Sequence, residues 1–179
     1  MIGRRVRVAA AATFVCAAAI PVAFAGARER AHTASAARCT SSHLAVWLGD
    51  GEGGGTAGRT YYPLEFSNIG HASCTLYGYP GVSAWGLGGV QVGVPATKNN
   101  TAHGTVTIRT GGTAHAIVAF VDWGALCSTG KKALGLKVYP PGQTRSQTID
   151  FPLTVCASRS VLVTGPVRAG VGIPGYTSS

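Results

Sequence analysis

The chain has 179 residues, of which 15 are Lys or Arg and 6 are Asp or Glu, for a formal charge of +9. Charged residues make up only 12% and there are 26 glycines, which excludes a fold built on long, charged amphipathic helices. The basic residues are scattered and not interleaved with aromatics, so a nucleic-acid platform is excluded too.

The first segment reads as a secretory signal peptide. Arg4, Arg5 and Arg7 form a positive start, Val8 to Ile20 is an uncharged apolar run, and Pro21 breaks any helix. Ala23-Phe24-Ala25 then offers the small-x-small pattern of a signal peptidase site, which places cleavage after Ala25. The run is too short for a permanent span. Cleavage removes three of the fifteen basic residues, so twelve face six acidic ones and the mature charge is +6. It also removes Cys16, leaving Cys39, Cys74, Cys127 and Cys156.

An even set of cysteines in an exported chain reads as disulfides. Of the three possible pairings, Cys39–Cys74 with Cys127–Cys156 is favoured, because each bridge joins neighbouring parts of the chain. A zinc site would need closely spaced ligand pairs such as C-x2-C, and there are none.

Residues 26–38 are small and polar and read as a flexible spacer. Residues 39–164 read as one domain, and 165–179 as a Gly-, Pro- and Ser-bearing tail that leaves it. Within the domain, short β-prone runs lie between turn residues. Strands are expected at His43–Leu48, Thr60–Asn68, Cys74–Tyr77, Val82–Trp85, Val90–Val92, Thr105–Arg109, Thr113–Trp123, Leu134–Tyr139, Gln147–Phe151 and Ser160–Thr164. Thr113–Trp123 carries apolar residues on both faces and is expected to be central. Many short strands without helices between them predict an all-β, antiparallel, immunoglobulin-like sandwich with two disulfides.

One segment is distinctive: Cys74-Thr75-Leu76-Tyr77-Gly78-Tyr79-Pro80-Gly81. It reads as a cysteine-anchored strand entering a turn, with Pro80 fixing φ and Gly81 taking positive φ. Upstream, Phe66-Ser67-Asn68-Ile69-Gly70 ends a strand in an Asn-x-Gly turn. Downstream, Gly111-Gly112 opens a long strand that runs to Trp123. With Cys39 before these features and Cys127 and Cys156 after them, the chain resembles the actinobacterial secreted family catalogued as domain of unknown function 4232. That resemblance covers roughly Cys39 to Thr164. It implies an exported β-sandwich with two disulfides, and it supplies no activity and no catalytic residue.

The residues offer little chemistry of their own. A Gly-x-Ser-x-Gly elbow is missing. Asp50 and Glu52 share the Gly-rich loop Gly49–Gly58, as a glycosidase pair or calcium site would require, but an EF-hand's remaining ligands are not there. That loop also lacks the Lys and following helix of a phosphate cradle. His32, His43, His71, His103 and His115 show no ligand spacing.

The reading that follows is a non-catalytic extracellular binding or interaction module at the cell envelope. Its surface is the loop set Gly49–Gly58, Gly86–Gly89 and Val94–Gly104. Its partner is an anionic cell-wall polymer or an extracellular protein, without cofactor, metal or nucleic acid. One alternative is a hydrolase of wall or extracellular polymer using Asp50 or Glu52 with His43 or His71. The other is a structural envelope component without a specific ligand.

Overall fold

A computed structural model describes residues 35–50 and 58–173. The expected signal peptide, most of the spacer, Glu52 and the chain end lie outside these residues. These described residues belong to one compact unit.

The described residues form twelve strands in chain order: β1 (Leu44–Leu48), β2 (Arg59–Asn68), β3 (Cys74–Tyr77), β4 (Gly81–Trp85), β5 (Gln91–Val92), β6 (Thr97–Lys98), β7 (Thr105–Ile108), β8 (Thr113–Val121), β9 (Gly130–Tyr139), β10 (Gln147–Cys156), β11 (Leu162–Thr164) and β12 (Arg168–Ala169). Among the described residues, three short 3-10 turns interrupt them, at Ser41–His43, Leu87–Gly89 and Trp123–Ala125. A six-stranded sheet runs β1-β2-β8-β11-β6, with β12 also paired to β8, and a four-stranded sheet runs β10-β9-β4-β5. A third, two-stranded sheet joins β3 to β7. All named pairs are antiparallel except β11 with β6, which is parallel.

The core explains the arrangement. Side chains alternate along a strand, so one face of each sheet supplies every second residue. Leu64 and Phe66 of β2 lie opposite Ala116 and Ala114 of β8, large against small. From the other sheet Val82, Ala84, Leu136 and Val138 meet them, and Leu76 and Ile108 of the small sheet complete the same cluster. The two larger sheets thus share one apolar core in a sandwich-like, all-β fold. β8 is central, as its two-sided apolar pattern implies. It has β2 along one edge, with β11 and then β12 along the other. Disulfides join Cys39 to Cys74 and Cys127 to Cys156.

Several boundaries differ from the sequence reading, for identifiable reasons. β8 stops at Val121 because Asp122 caps the following 3-10 turn through Gly124 N–H, which puts Trp123 outside the strand. β10 continues past Phe151 through Pro152, where a register shift between Asp150 and Leu153 tolerates the missing N–H. The positive φ expected at Gly81 falls at Gly78 (91°), and Gly81 begins β4.

The spacer and tail boundaries also move. The last spacer residues are held, with Thr75 N–H donating to Ala37 O and Arg38 bridging to Thr75. Past Thr164 the chain does not leave the domain at Gly165. Val167 is fully buried, β12 pairs with Ala114 and His115, and the backbone reaches Glu65 at Gly172. Backbone pairing holds both segments, and it leaves no mark on side-chain pattern.

Candidate functional site

Of the described residues proposed for hydrolysis, Asp50 is set apart from the two histidines. Asp50 lies just beyond the Leu48 end of β1 and His43 just before its Leu44 end, so the strand separates them. His71 lies near the His43 end, where Ile69 N–H donates to His43 O. Asp50, His43 and His71 are all exposed. Among the described residues no group of three or more His, Cys, Asp or Glu side chains is close enough to hold a metal ion. An open groove of about 500 Å³ near the Val121 end of β8 is lined by Arg59, Phe120, Asp122, Trp123, Leu153 and other residues, none of them a histidine.

The Val94–Gly104 loop carries a more distinctive arrangement. Tyr77, at the end of β3, and Tyr79, in the following turn, both meet the His103 ring edge-on, with centroids 4.9 and 5.2 Å away. Lys98 Nζ sits 5.4 Å from the centre of the Tyr79 ring, within cation–π range. The Tyr79 hydroxyl donates to Thr101 O, so the ring is pinned on both sides. Arg168 completes the group from β12 by donating through Nη2 to Ala102 O at 2.9 Å.

Local chemistry builds this face. The β3–β4 turn swings both tyrosines outward around Gly78, and Gly78 O accepts from Val167 N–H. Asn99 N–H donates to Thr164 O, and the Asn99 side chain accepts from Thr101 N–H. The loop is therefore clamped between the tyrosine turn and the segment after β11. Lys98, His103 and Arg168 are exposed, and Tyr77 leaves 59% of its surface in solvent. The sequence reading named the loop and the Cys74–Gly81 segment separately. Their contact depends on Arg168 and on a chain end read as a tail.

A second feature escaped the sequence reading altogether. Glu65 is 1% exposed, although it lies on the face of β2 turned away from the core. It pairs in register with Trp47 on β1 and His115 on β8, and His115 pairs with Arg168 on β12. Glu65 Oε1 accepts from Gly172 N–H at 2.8 Å, while Oε2 is buried without a hydrogen-bond partner among the described residues. Burial raises the carboxyl above its ordinary range, opposed by the Gly172 N–H and by His115.

The order of Cys39, the Phe66-x-Asn68 strand end, the Cys74–Gly81 turn, the Gly111-Gly112 turn into β8, and Cys127 and Cys156 is that of a known domain type. The chain belongs to the family Domain of unknown function (DUF4232), whose profile matches residues 39–168. No curated protein and no solved structure matches it. The DUF4232 match ends at Arg168, so it takes in the full tyrosine–lysine–arginine face and stops where the segment over Glu65 begins.

Proposed function

We propose that this DUF4232 domain is a non-catalytic extracellular module that binds an anionic cell-envelope polymer on the face formed by Tyr77, Tyr79, Lys98, His103 and Arg168. The observation that carries the reading is Lys98 poised over the Tyr79 ring beside an exposed aromatic and a second cation. Exposed cations attract a polyanion, and an exposed tyrosine ring supplies a flat apolar surface for a sugar or polyol backbone. The setting is an exported chain of actinobacterial type, processed after Ala25. The signal-like N-terminus and the two disulfides support it, since such bridges persist in oxidising compartments. Among the described residues, no helix is long and apolar enough to cross a membrane. Two sheets around one core support an immunoglobulin-like sandwich as its architecture.

Retention of the protein on immobilised poly(glycerol phosphate), with neutral dextran as control, tests the reading. Retention should exceed that of an unrelated domain of equal charge. It should weaken as salt rises and fall in a Lys98→Gln/Arg168→Gln variant. Equal retention on dextran, or no difference between variant and wild type, overturns it and leaves a structural envelope role.

A further inference from the structure

We propose that the segment Arg168–Gly172 is a proton-dependent latch, clasped by Glu65 and His115, whose release withdraws Arg168 from the polymer-binding face. The role of Arg168 in this inference rests on the binding reading above; the latch itself does not.

The geometry of the latch is local and asymmetric. Up to Val167 the segment is anchored, because that side chain is fully buried and its N–H donates to Gly78 O. Beyond Val167, among the described residues, Gly170 N–H donates to Thr113 O at 3.0 Å. β12 contributes two residue pairs to β8. His115 Nδ1 lies 2.8 Å from Gly170 O, and Gly172 N–H meets Glu65 Oε1. Arg168, Ala169 and Gly170 are exposed. The fit at the far end is tight: a Cβ on Gly172 would lie 2.8 Å from both His115 Cδ2 and Pro63 Cβ.

What lies beneath the latch makes closure depend on protons. When ionised, Glu65 has one satisfied oxygen and one buried without a partner among the described residues, and an ionised oxygen in that state is costly. Two events relieve the cost: protonation, or opening of the latch to water. Among the described residues, charged and titratable groups on the elements around Glu65 are His115 on β8, Arg168 across from His115 on β12, and Tyr61 four residues back on the same face of β2. β1 contributes Trp47, which does not titrate.

The sign follows from linkage. In the closed form burial lifts the Glu65 carboxyl above its ordinary value of 4.5, while in the open form water restores that value. Closure therefore takes up a proton, is favoured at acid pH, and weakens as pH rises through the window above 4.5. Each unit of lift changes the opening equilibrium by up to about tenfold. Release frees Arg168 from Ala102 O and removes one of the cations from the binding face.

Amide exchange of residues 168–172 in the full chain, normalised to intrinsic rates, tests the latch between about pH 5 and about pH 8. Protection should fall several-fold across that range in wild type. It should stay level in Glu65→Gln, which keeps an acceptor for Gly172 N–H and cannot ionise. Gly172→Ala, which crowds His115 and Pro63, should lose protection at both pH values. Protection independent of pH in wild type, or a Glu65→Gln profile that follows wild type, overturns the latch. Wild-type protection in Gly172→Ala overturns it also, should Glu65→Gln not fold. Polymer retention is read at fixed pH. Level protection with retention sensitive to Arg168→Gln overturns the latch and spares the binding reading. Falling protection with no polymer retention does the reverse.

Discussion

The side-chain amide of Asn68 donates to the main-chain oxygen of Ile108 at 3.0 Å, inside the core. The same nitrogen donates to Ala72 O at 2.9 Å, and Oδ1 accepts from Gly70 N–H at 2.9 Å. Main-chain bonds to Gly111 and Gly112 hold the β7–β8 turn against it. One buried residue thus ties the end of β2, the loop into β3 and the end of β7 together. Removing it leaves Ile108 O and Gly70 N–H without their buried partner, while Ala72 O, on an exposed residue, can turn to water. Asn68→Ala should cost about 3 kcal/mol in urea melts. Asn68→Asp should be at least as damaging at neutral pH, because it aims a carboxylate at two carbonyl oxygens, and acid should partly relieve it. A loss under about 1 kcal/mol for Asn68→Ala would show the network to be dispensable.

Gln147 closes the seam where the two larger sheets meet. Its amide nitrogen donates to Leu44 O and Ser41 O, at 2.6 and 2.9 Å, and its oxygen accepts from Val46 N–H at 3.2 Å. The outer edge of β1 is thereby satisfied by a side chain from β10, where an unpaired edge would invite another chain. Gln147→Leu should cost about 1–3 kcal/mol and raise the aggregation propensity of the unheated protein, measured by denaturation and light scattering. Unchanged stability and scattering would mean that water replaces the amide.

These two residues mark what can be read from the chain. Asn68 was legible, because Asn-x-Gly after a β-prone run states its own turn chemistry. Strand existence was legible wherever turn residues bracketed a β-branched or aromatic run, as at β3 and β4. Of the two-residue strands, β5 was expected at Val90–Val92 beside its turn glycines, whereas β6 and β12 were not, since two residues have no period. Gln147 and Glu65 were illegible for another reason. Each sits at a polar position of an alternating strand, where solvent is the default partner. Only distant main chain, Leu44 in one case and Gly172 in the other, makes them buried or bonded. The aromatic–cation face was legible in its parts, while its assembly depends on Val167 folding back to Gly78.

Gly135 shows how closely β9 and β10 approach beside the β10 bulge. A Cβ there would lie 2.0 Å from Ile149 O and 2.9 Å from Trp85 Nε1, which is buried without a hydrogen-bond partner among the described residues. The first clash is with backbone, so no rotamer change relieves it. Gly135→Ala should destabilise the domain by about 2–3 kcal/mol and shift the fluorescence of Trp85, read in melts of a variant lacking the other two tryptophans. A neutral result would place the bulge elsewhere along β10.

The two disulfides close segments of similar length, with sequence separations of 35 and 29. On the chain-entropy estimate each contributes about 3–4 kcal/mol. The Cys39–Cys74 bridge fixes the start of the domain to β3, from which the tyrosine turn leads. Replacing both of its cysteines by Ser should therefore lower the melting temperature and also weaken polymer retention. Replacing Cys127 and Cys156 should lower stability to a similar degree but leave retention of the folded protein intact. Equal retention in the two variants, measured below their melting points, would show that the tyrosine turn keeps its shape without the first bridge.

Glu65 gives the whole domain a pH dependence of unusual sign for a carboxylate. Its folded-state carboxyl lies above the ordinary value of 4.5, chiefly because of burial. The native state therefore holds that proton more tightly than the unfolded chain. Its contribution to stability is complete below 4.5 and is lost as pH rises through the folded value. A surface carboxylate paired with a cation behaves the other way. The difference in unfolding free energy between wild type and Glu65→Gln isolates this residue from every other titrating group. That difference should favour the variant increasingly as pH climbs above 4.5, and level off once the raised folded value has been passed. Paired urea titrations across this range measure it. A difference that stays constant, or that favours wild type at neutral pH, would mean that His115 and the Gly172 N–H outweigh the burial of the ionised carboxylate.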